Sequence, residues 1–247
     1  MNQKLQNWHN FCQHHAGNWH GTWTTYSPAG KVIKFLKCIR SFQVKENGNK
    51  IEHQNHYIYV DDKQETKTFG PYKKPTTRAL FLDQSFSWGS QQVELEARFF
   101  FETGFRYQDR RASLAVSYNE HREIQNLTVI SEHLESWAEI SSVSSLIKEN
   151  CHGWQGKLQK ITPDYIVSSP VATSWKQLED LEADYLTWKF NDGISVSCPQ
   201  QIEPGKKFFL VTDWLINSRI LQRGIRHFDG SEFTHFTLEV FTNCFYE

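Results

Sequence analysis

The sequence predicts an all-β protein built as two tandem antiparallel barrels, residues 1–134 and 135–247, each with a short capping helix. Three observations carry this. Aromatic residues make up 15% of the 247 positions, with nine Trp, nine Tyr and eighteen Phe against a single Met. Such rings suit a pleated, half-buried surface, and the flexible filler of helix bundles is scarce. Apolar and polar residues alternate along several short runs bounded by turn residues. Finally, one set of landmarks occurs twice along the chain.

The elements follow in order. Leu5, Trp8, Phe11, Cys12 and His15 recur at three- and four-residue spacing, so residues 3–15 read as an amphipathic helix. Gly17-Asn18-Trp19-His20-Gly21-Thr22-Trp23 opens a strand, and Pro28-Ala29-Gly30 makes a turn. Lys31 to Val44 fits both helical and strand periods; its β-branched and aromatic content favours strand. Glu46-Asn47-Gly48-Asn49 is a hairpin turn, after which Ile51, His53, Asn55, Tyr57 and Tyr59 share one face. Val93 to Phe101 reads as a strand with one buried face, lining an interior. Ala112 to Tyr118 and Ile124 to Ser131 are further strands. Residues 132–150 break the rhythm as a Ser-rich linker that ends in a short helix around Val143, Leu146 and Ile147.

The repeat begins at Trp154-Gln155-Gly156, which matches Trp19-His20-Gly21 as Trp-x-Gly. Later, Phe99 to Phe105 is echoed by Phe208 to Trp214, and the same offset of 109 carries Arg110 onto Arg219 and Thr128 onto Thr237. The first half holds 26 more residues between its landmarks, room for longer loops or an extra hairpin.

Bulk composition excludes several classes. Charged residues are 22% and the net charge is −1, which argues against disorder and against general nucleic-acid binding. Lys31, Lys34, Lys37 and Arg40 form a basic run with aromatic neighbours, expected to be a charged strand edge that resists aggregation. Cys12, Cys38, Cys151, Cys198 and Cys244 are widely spaced, odd in number and without a Cys-x-x-Cys pair, the pattern of reduced thiols in a cytoplasmic protein. No stretch approaches the length of a bilayer-spanning helix, and the polar start does not read as a signal peptide. His53 and His56 sit three apart on a strand, on opposite faces, which is poor geometry for zinc. There is no phosphate-binding Gly-rich loop, no Gly-x-Ser-x-Gly and no His-Glu-x-x-His. The sequence leaves catalysis open, with no catalytic residue to name.

The helix leading into Gly17-Asn18-Trp19, together with a late arginine, resembles the lipocalin/calycin signature. That resemblance implies that the helix closes a barrel floor, where Trp19 packs beneath an arginine from a late strand. Arg110 or Arg111 would fill that place in the first half. In the second, Trp154 is the counterpart and Arg219, Arg223 or Arg226 the candidates, although Gly153 stands directly before Trp154 and departs from the spacing. A guanidinium over an indole gains cation–π attraction while its donors satisfy nearby carbonyls. His53-Gln54-Asn55-His56-Tyr57-Ile58-Tyr59, after Gly21-Thr22-Trp23, is similar to the duplicated lipocalin-like proteins of cyanobacteria and plastids. Trp214-Leu215 with Gln222-Arg223-Gly224-Ile225-Arg226-His227-Phe228 is similar to the late strands of S-type phycobiliprotein lyases. Those barrels hold an open-chain tetrapyrrole and deliver it to a cysteine of an acceptor protein. The resemblance implies a bilin as candidate ligand and a phycobiliprotein-like acceptor as candidate partner.

Arg223, Arg226 and His227 fall among apolar neighbours and are the candidate ligand-binding residues. Arg223 and Arg226 are three apart and face opposite sides of a strand, so one faces a barrel interior. A buried cation needs a protein carboxylate, an aromatic face or a ligand acid. The expected function is non-covalent binding of a hydrophobic or tetrapyrrole-like small molecule, in an aromatic-lined cavity of about 300 Å³ or more. Two other expectations stand beside it: a bilin lyase or chaperone acting on an acceptor protein, and a non-catalytic interaction protein with filled barrels. No metal and no resident cofactor are expected, and neither nucleic acid nor a membrane is an expected partner.

Overall fold

Asn2 caps the first helix, its side chain accepting from the Lys4 amide at 3.0 Å, and α1 (Gln3–His14) turns Trp8 and Phe11 toward a sheet. The computed structural model describes residues 2–77, 79–137 and 151–243. Nine strands follow in the first half: β1 (Gly17–Tyr26), β2 (Val32–Lys45), β3 (Lys50–Tyr59), β4 (Gln64–Lys73), β5 (Leu80–Leu82), β6 (Ser85–Gly89), β7 (Phe99–Tyr107), β8 (Arg110–Tyr118) and β9 (Ile124–Leu134). The second half contributes β10 (Gln155–Ile161), β11 (Val171–Ser174), β12 (Tyr185–Lys189), β13 (Ile194–Pro199), β14 (Phe208–Asn217), β15 (Ile220–Asp229) and β16 (Glu232–Thr242). The protein is all-β with one α-helix among the described residues.

Both sheets share one plan. In the first the order is β4-β3-β2-β1-β9-β8-β7-β6-β5, and in the second β11-β10-β16-β15-β14-β13-β12. Each is an antiparallel meander whose first strand pairs with its last, β1 with β9 and β10 with β16, so each curls on itself and stays open along one seam. The β3–β4 hairpin is extra in the first half and accounts for its greater length. The repeated Trp-x-Gly now has a physical reason. A Cβ at Gly21 would run into the Ser131 carbonyl of β9, and one at Gly156 into the Val240 carbonyl of β16. The glycine allows the close approach of first and last strands in each half.

The largest core lies between the two sheets. Leu114, Val116 and Tyr118 of β8 and Phe99 and Phe101 of β7 pack with Val196, Leu210, Trp214 and Phe236 of the second half. The halves therefore share one apolar layer. Thr103 and Thr212, which the offset of 109 relates, are both fully buried, and Gly224 of β15 sits against Thr103. A second cluster, Trp8, Phe11, Trp19, Phe42, Ile51, Phe81 and Phe86, fills the α1 end of the first half. Cys151, Trp154, Leu215, Leu221 and Phe241 form a third in the second half.

Four expectations change. Val93 to Phe101 is not one strand: β7 begins at Phe99, after a turn containing Glu96 at φ 57°, and the Val93 amide bonds to Ser231 of the second half. The apolar face of β7 turns to the layer between the sheets, not to a barrel interior. The basic run is no edge either, because β2 lies between β1 and β3. Ladder pairing continues to Leu134, so residues 132–134 belong to β9 rather than to a linker. The helix expected around Val143, Leu146 and Ile147 lies outside the described residues.

Candidate functional site

Alternation on β2 decides what the first half encloses. Leu36, Cys38, Arg40 and Phe42 are buried on one face, while Lys37 points out exposed. Facing strands bring His53, Asn55 and Tyr57 opposite Phe42, Arg40 and Cys38. The result is a cavity of about 1010 Å³ within the first half. Phe11, Phe42 and Phe81 close it at the α1 end; Trp23, Tyr57 and Tyr59 wall the other end.

A buried belt of four charges crosses the middle. Arg40 Nη1 donates to Glu102 Oε1 at 3.2 Å, and Arg40 Nε lies 3.2 Å from Glu132 Oε1. Arg111 Nε donates to Glu132 Oε2 at 2.7 Å, with Nη2 also at 2.7 Å from that oxygen. Glu102 further accepts from Ser113 Oγ at 2.8 Å and from Trp88 Nε1 at 2.7 Å. Burial opposes ionisation of Glu102, but Arg40 and these donors outweigh it and hold the carboxyl below its ordinary range. Burial pulls the Arg111 guanidinium down to about 10 despite Glu132. Arg40, flanked by both glutamates, is pushed up in spite of its burial. Its Nη2 has no hydrogen-bond acceptor among the described residues, and neither ring nitrogen of His15 has a partner there.

The aromatic surroundings fix this belt in place. Arg40 lies 4.7 Å from the Trp23 ring centroid and Arg111 4.5 Å from that of Trp19. Trp19 is fully buried and donates from Nε1 to the His15 carbonyl at 2.9 Å, tying β1 to the end of α1. Arg106 is a second cation over Trp19, at 5.4 Å, and bonds the carbonyl of His14. His53 contacts the Tyr72 hydroxyl and Asn55 Oδ1, both at 3.0 Å, and burial brings its imidazole down to about 3. Burial also pushes the Cys38 thiol up to about 12, so it is a poor nucleophile. No group of three or more His, Cys, Asp or Glu among the described residues could hold a metal ion.

The residues singled out from the sequence lie elsewhere, apart from Arg111 and Trp19. Arg223 pairs with Asp213 through Nε and Nη2 at 2.7 and 2.8 Å inside the second half. Arg226 faces the layer between the halves, where it donates to Ser87 Oγ at 2.6 Å and the Ser90 carbonyl at 2.9 Å and lies 4.4 Å from the Phe233 ring centroid. His227 stacks on His235 at 4.2 Å and meets Thr237 Oγ1 at 3.1 Å. None of the three lines the cavity. Arg110 crosses to the second half, 5.4 Å over Trp214, and bonds the Ile216 carbonyl. Trp154 is buried against Leu215, Leu221 and Phe241, while Arg219 is exposed in the β14–β15 turn. Arg40, Glu102, Glu132 and His53 were not singled out as ligand-binding residues. Strand period could have found Arg40, a lone charge on the apolar face Leu36, Cys38, Phe42.

Comparison with known proteins gives the following. Residues 4–137 match the N-terminal domain of the DUF3598 family, a domain of unknown function. Residues 177–240 match the C-terminal domain described as "Biogenesis factor required for ATP synthase 1". A crystal structure of a DUF3598-family protein of unknown function from Nostoc punctiforme PCC 73102 is 19% identical. It aligns over 96% of this chain and 98% of that one with a TM-score of 0.74, a likeness of fold. A second solved chain, from Bacteroides fragilis NCTC 9343, is 12% identical over 98% of this chain and 100% of that one; its TM-score of 0.28 carries no argument. No curated protein matches.

Proposed function

The chain belongs to the DUF3598 family, whose N-terminal domain spans the cavity-bearing half, and from that premise we propose that it binds a hydrophobic, tetrapyrrole-like small molecule non-covalently. One observation carries the reading: a cavity of about 1010 Å³, walled by aromatic rings, with an unused donor on buried Arg40. Small-molecule sites are concave and mostly apolar, with a few fixed polar groups. Removing roughly 300 Å² of apolar ligand surface from water is worth about 7 kcal/mol before association costs. Trp23 and Tyr57, packed edge to face with centroids 5.5 Å apart, offer aromatic contacts to the ring systems of a bilin or a haem. Buried thiols such as Cys38 and Cys198, held high by burial, fit a protein kept in the cytoplasm.

Trp23 and Trp88 line the cavity and report occupancy. Titration with biliverdin, haem and long-chain fatty acids is expected to quench their fluorescence saturably for at least one of the three. Absence of quenching by all, with no colour after co-expression with a bilin-producing pathway, overturns the reading.

The match of residues 177–240 favours a second reading, in which the second half serves the assembly of another protein. A bilin-handling chaperone would join the two, with ligand held in the first half and an acceptor docked on the second. Covalent colouring of a co-expressed phycobiliprotein-like acceptor separates transfer from storage.

A further inference from the structure

Charge along the cavity wall selects among hydrophobic ligands. Six cations line it, Lys34, Arg40, Lys67, Lys73, Lys74 and Arg111, against one carboxylate, Glu102. Behind the wall Glu132 meets both arginines, whereas Glu65 stands at the rim, 3.3 Å from Lys67 and accepting from the Tyr59 hydroxyl at 2.8 Å, so that Lys34 and Lys67 together keep one net positive charge. The two arginines and two glutamates of the belt neutralise one another, so a ligand acid brought to that depth meets two carboxylates already in place. The surplus charge belongs to the lysines.

Their positions differ. Lys73 and Lys74 lie beside the end that α1, Phe11 and Tyr72 close. Lys34 and Lys67 stand toward the opposite end, exposed, with ammonium groups 5.5 Å over the Tyr59 ring and 5.8 Å over the Tyr57 ring. Both tyrosines line the cavity. An apolar body that slides down these walls would leave its charged group level with those two cations, where water still hydrates it.

We infer that the cavity takes an amphiphilic acid apolar end first, with its carboxylate or sulfonate held at the rim by Lys34 and Lys67. This rests on the binding reading above and adds the class and orientation of the ligand. Arg40, despite its depth, is then not the acid's partner; its Nη2 serves a neutral oxygen on the body.

A matched pair of fluorescent probes tests this: 1-anilinonaphthalene-8-sulfonate and its uncharged parent, N-phenyl-1-naphthylamine, titrated into the full chain. The sulfonate is expected to bind about tenfold more tightly than the parent, a charge-assisted increment that declines as salt rises. Lys34→Gln with Lys67→Gln should remove that preference and leave the parent's affinity as it was. Equal binding of both probes by the wild type overturns the inference while leaving the binding reading intact. So does loss of the preference through Lys73→Gln with Lys74→Gln instead, or tighter sulfonate binding by Glu102→Gln with no effect at Lys34 and Lys67. Failure of both probes to bind the wild type overturns the inference as well, and the tryptophan titrations with biliverdin, haem and fatty acids decide the binding reading separately.

Discussion

Arg111 lies 4.5 Å over the ring centroid of Trp19, and the same guanidinium meets Glu132 at 2.7 Å. One side chain thus roofs the indole and closes a buried ion pair. Trp19 itself reaches the His15 carbonyl, so helix, first strand and late strand converge on a single ring. Trp19→Ala should destabilise by about 3–5 kcal/mol, because a fully buried indole leaves a void that the helix end cannot fill. Denaturant unfolding measures it; a midpoint close to wild type would contradict the role.

Glu132 answers two arginines at once, and its removal leaves both in a buried setting with one carboxylate between them. Glu132→Ala is expected to lose about 3–5 kcal/mol, the usual penalty for stranding a buried charge. The double variant Glu132→Ala with Arg111→Met should recover part of that loss, as measured in a double-mutant cycle.

Acid should weaken the fold through its histidines. Burial, with Arg40 next, holds His53 down at about 3, and burial with Arg111 holds fully buried His15 well below 6.5. Below about pH 6.5 the unfolded chain takes up protons that the folded chain refuses, so stability is lost as pH falls toward those values. Glu102, held low in the fold, continues the trend below its ordinary 4.5. Each such histidine contributes a slope of up to about 1.4 kcal/mol per pH unit. His53→Gln should flatten the curve between about pH 6 and pH 5 by about one proton's worth; an unchanged slope in urea titrations would refute this.

Arg226 has no carboxylate partner among its hydrogen bonds, and burial pulls it down to about 9. It works as a polar strut from β15 to Ser87 and Ser90 in the first half. Arg226→Ala should lose about 2–4 kcal/mol from void formation and stranded acceptors. Arg226→Met, which keeps the volume, should lose less than half as much. Equal losses in thermal unfolding would mean that packing plays no part.

The doubled plan was legible because Trp-x-Gly marks a backbone contact that no side chain tolerates, at Gly21 and again at Gly156. Strand positions were legible wherever one face met water. They misled where neither did: β7 buries Phe101 on one side and Glu102 on the other, so apolar alternation could not say which face was the cavity. The same ambiguity hid the belt. Arg40 read as part of a basic run because Lys34 and Lys37 flank it, yet Lys37 points outward and Arg40 inward. Arg223 and Arg226 drew attention as buried cations, and Asp213, Ser87 and Ser90 answer them from parts of the chain that sequence spacing does not connect.

Consider last the strand Arg110–Tyr118. It has no exposed residue: the cavity and its ion pairs occupy one side, the packed second half the other. On β4, by contrast, nine of ten positions are exposed. Natural variation in this lineage is therefore expected to be lopsided. Drift can rewrite the positions of that outer wall that face away from the cavity, while the partition between the halves accepts change only when a neighbour changes with it.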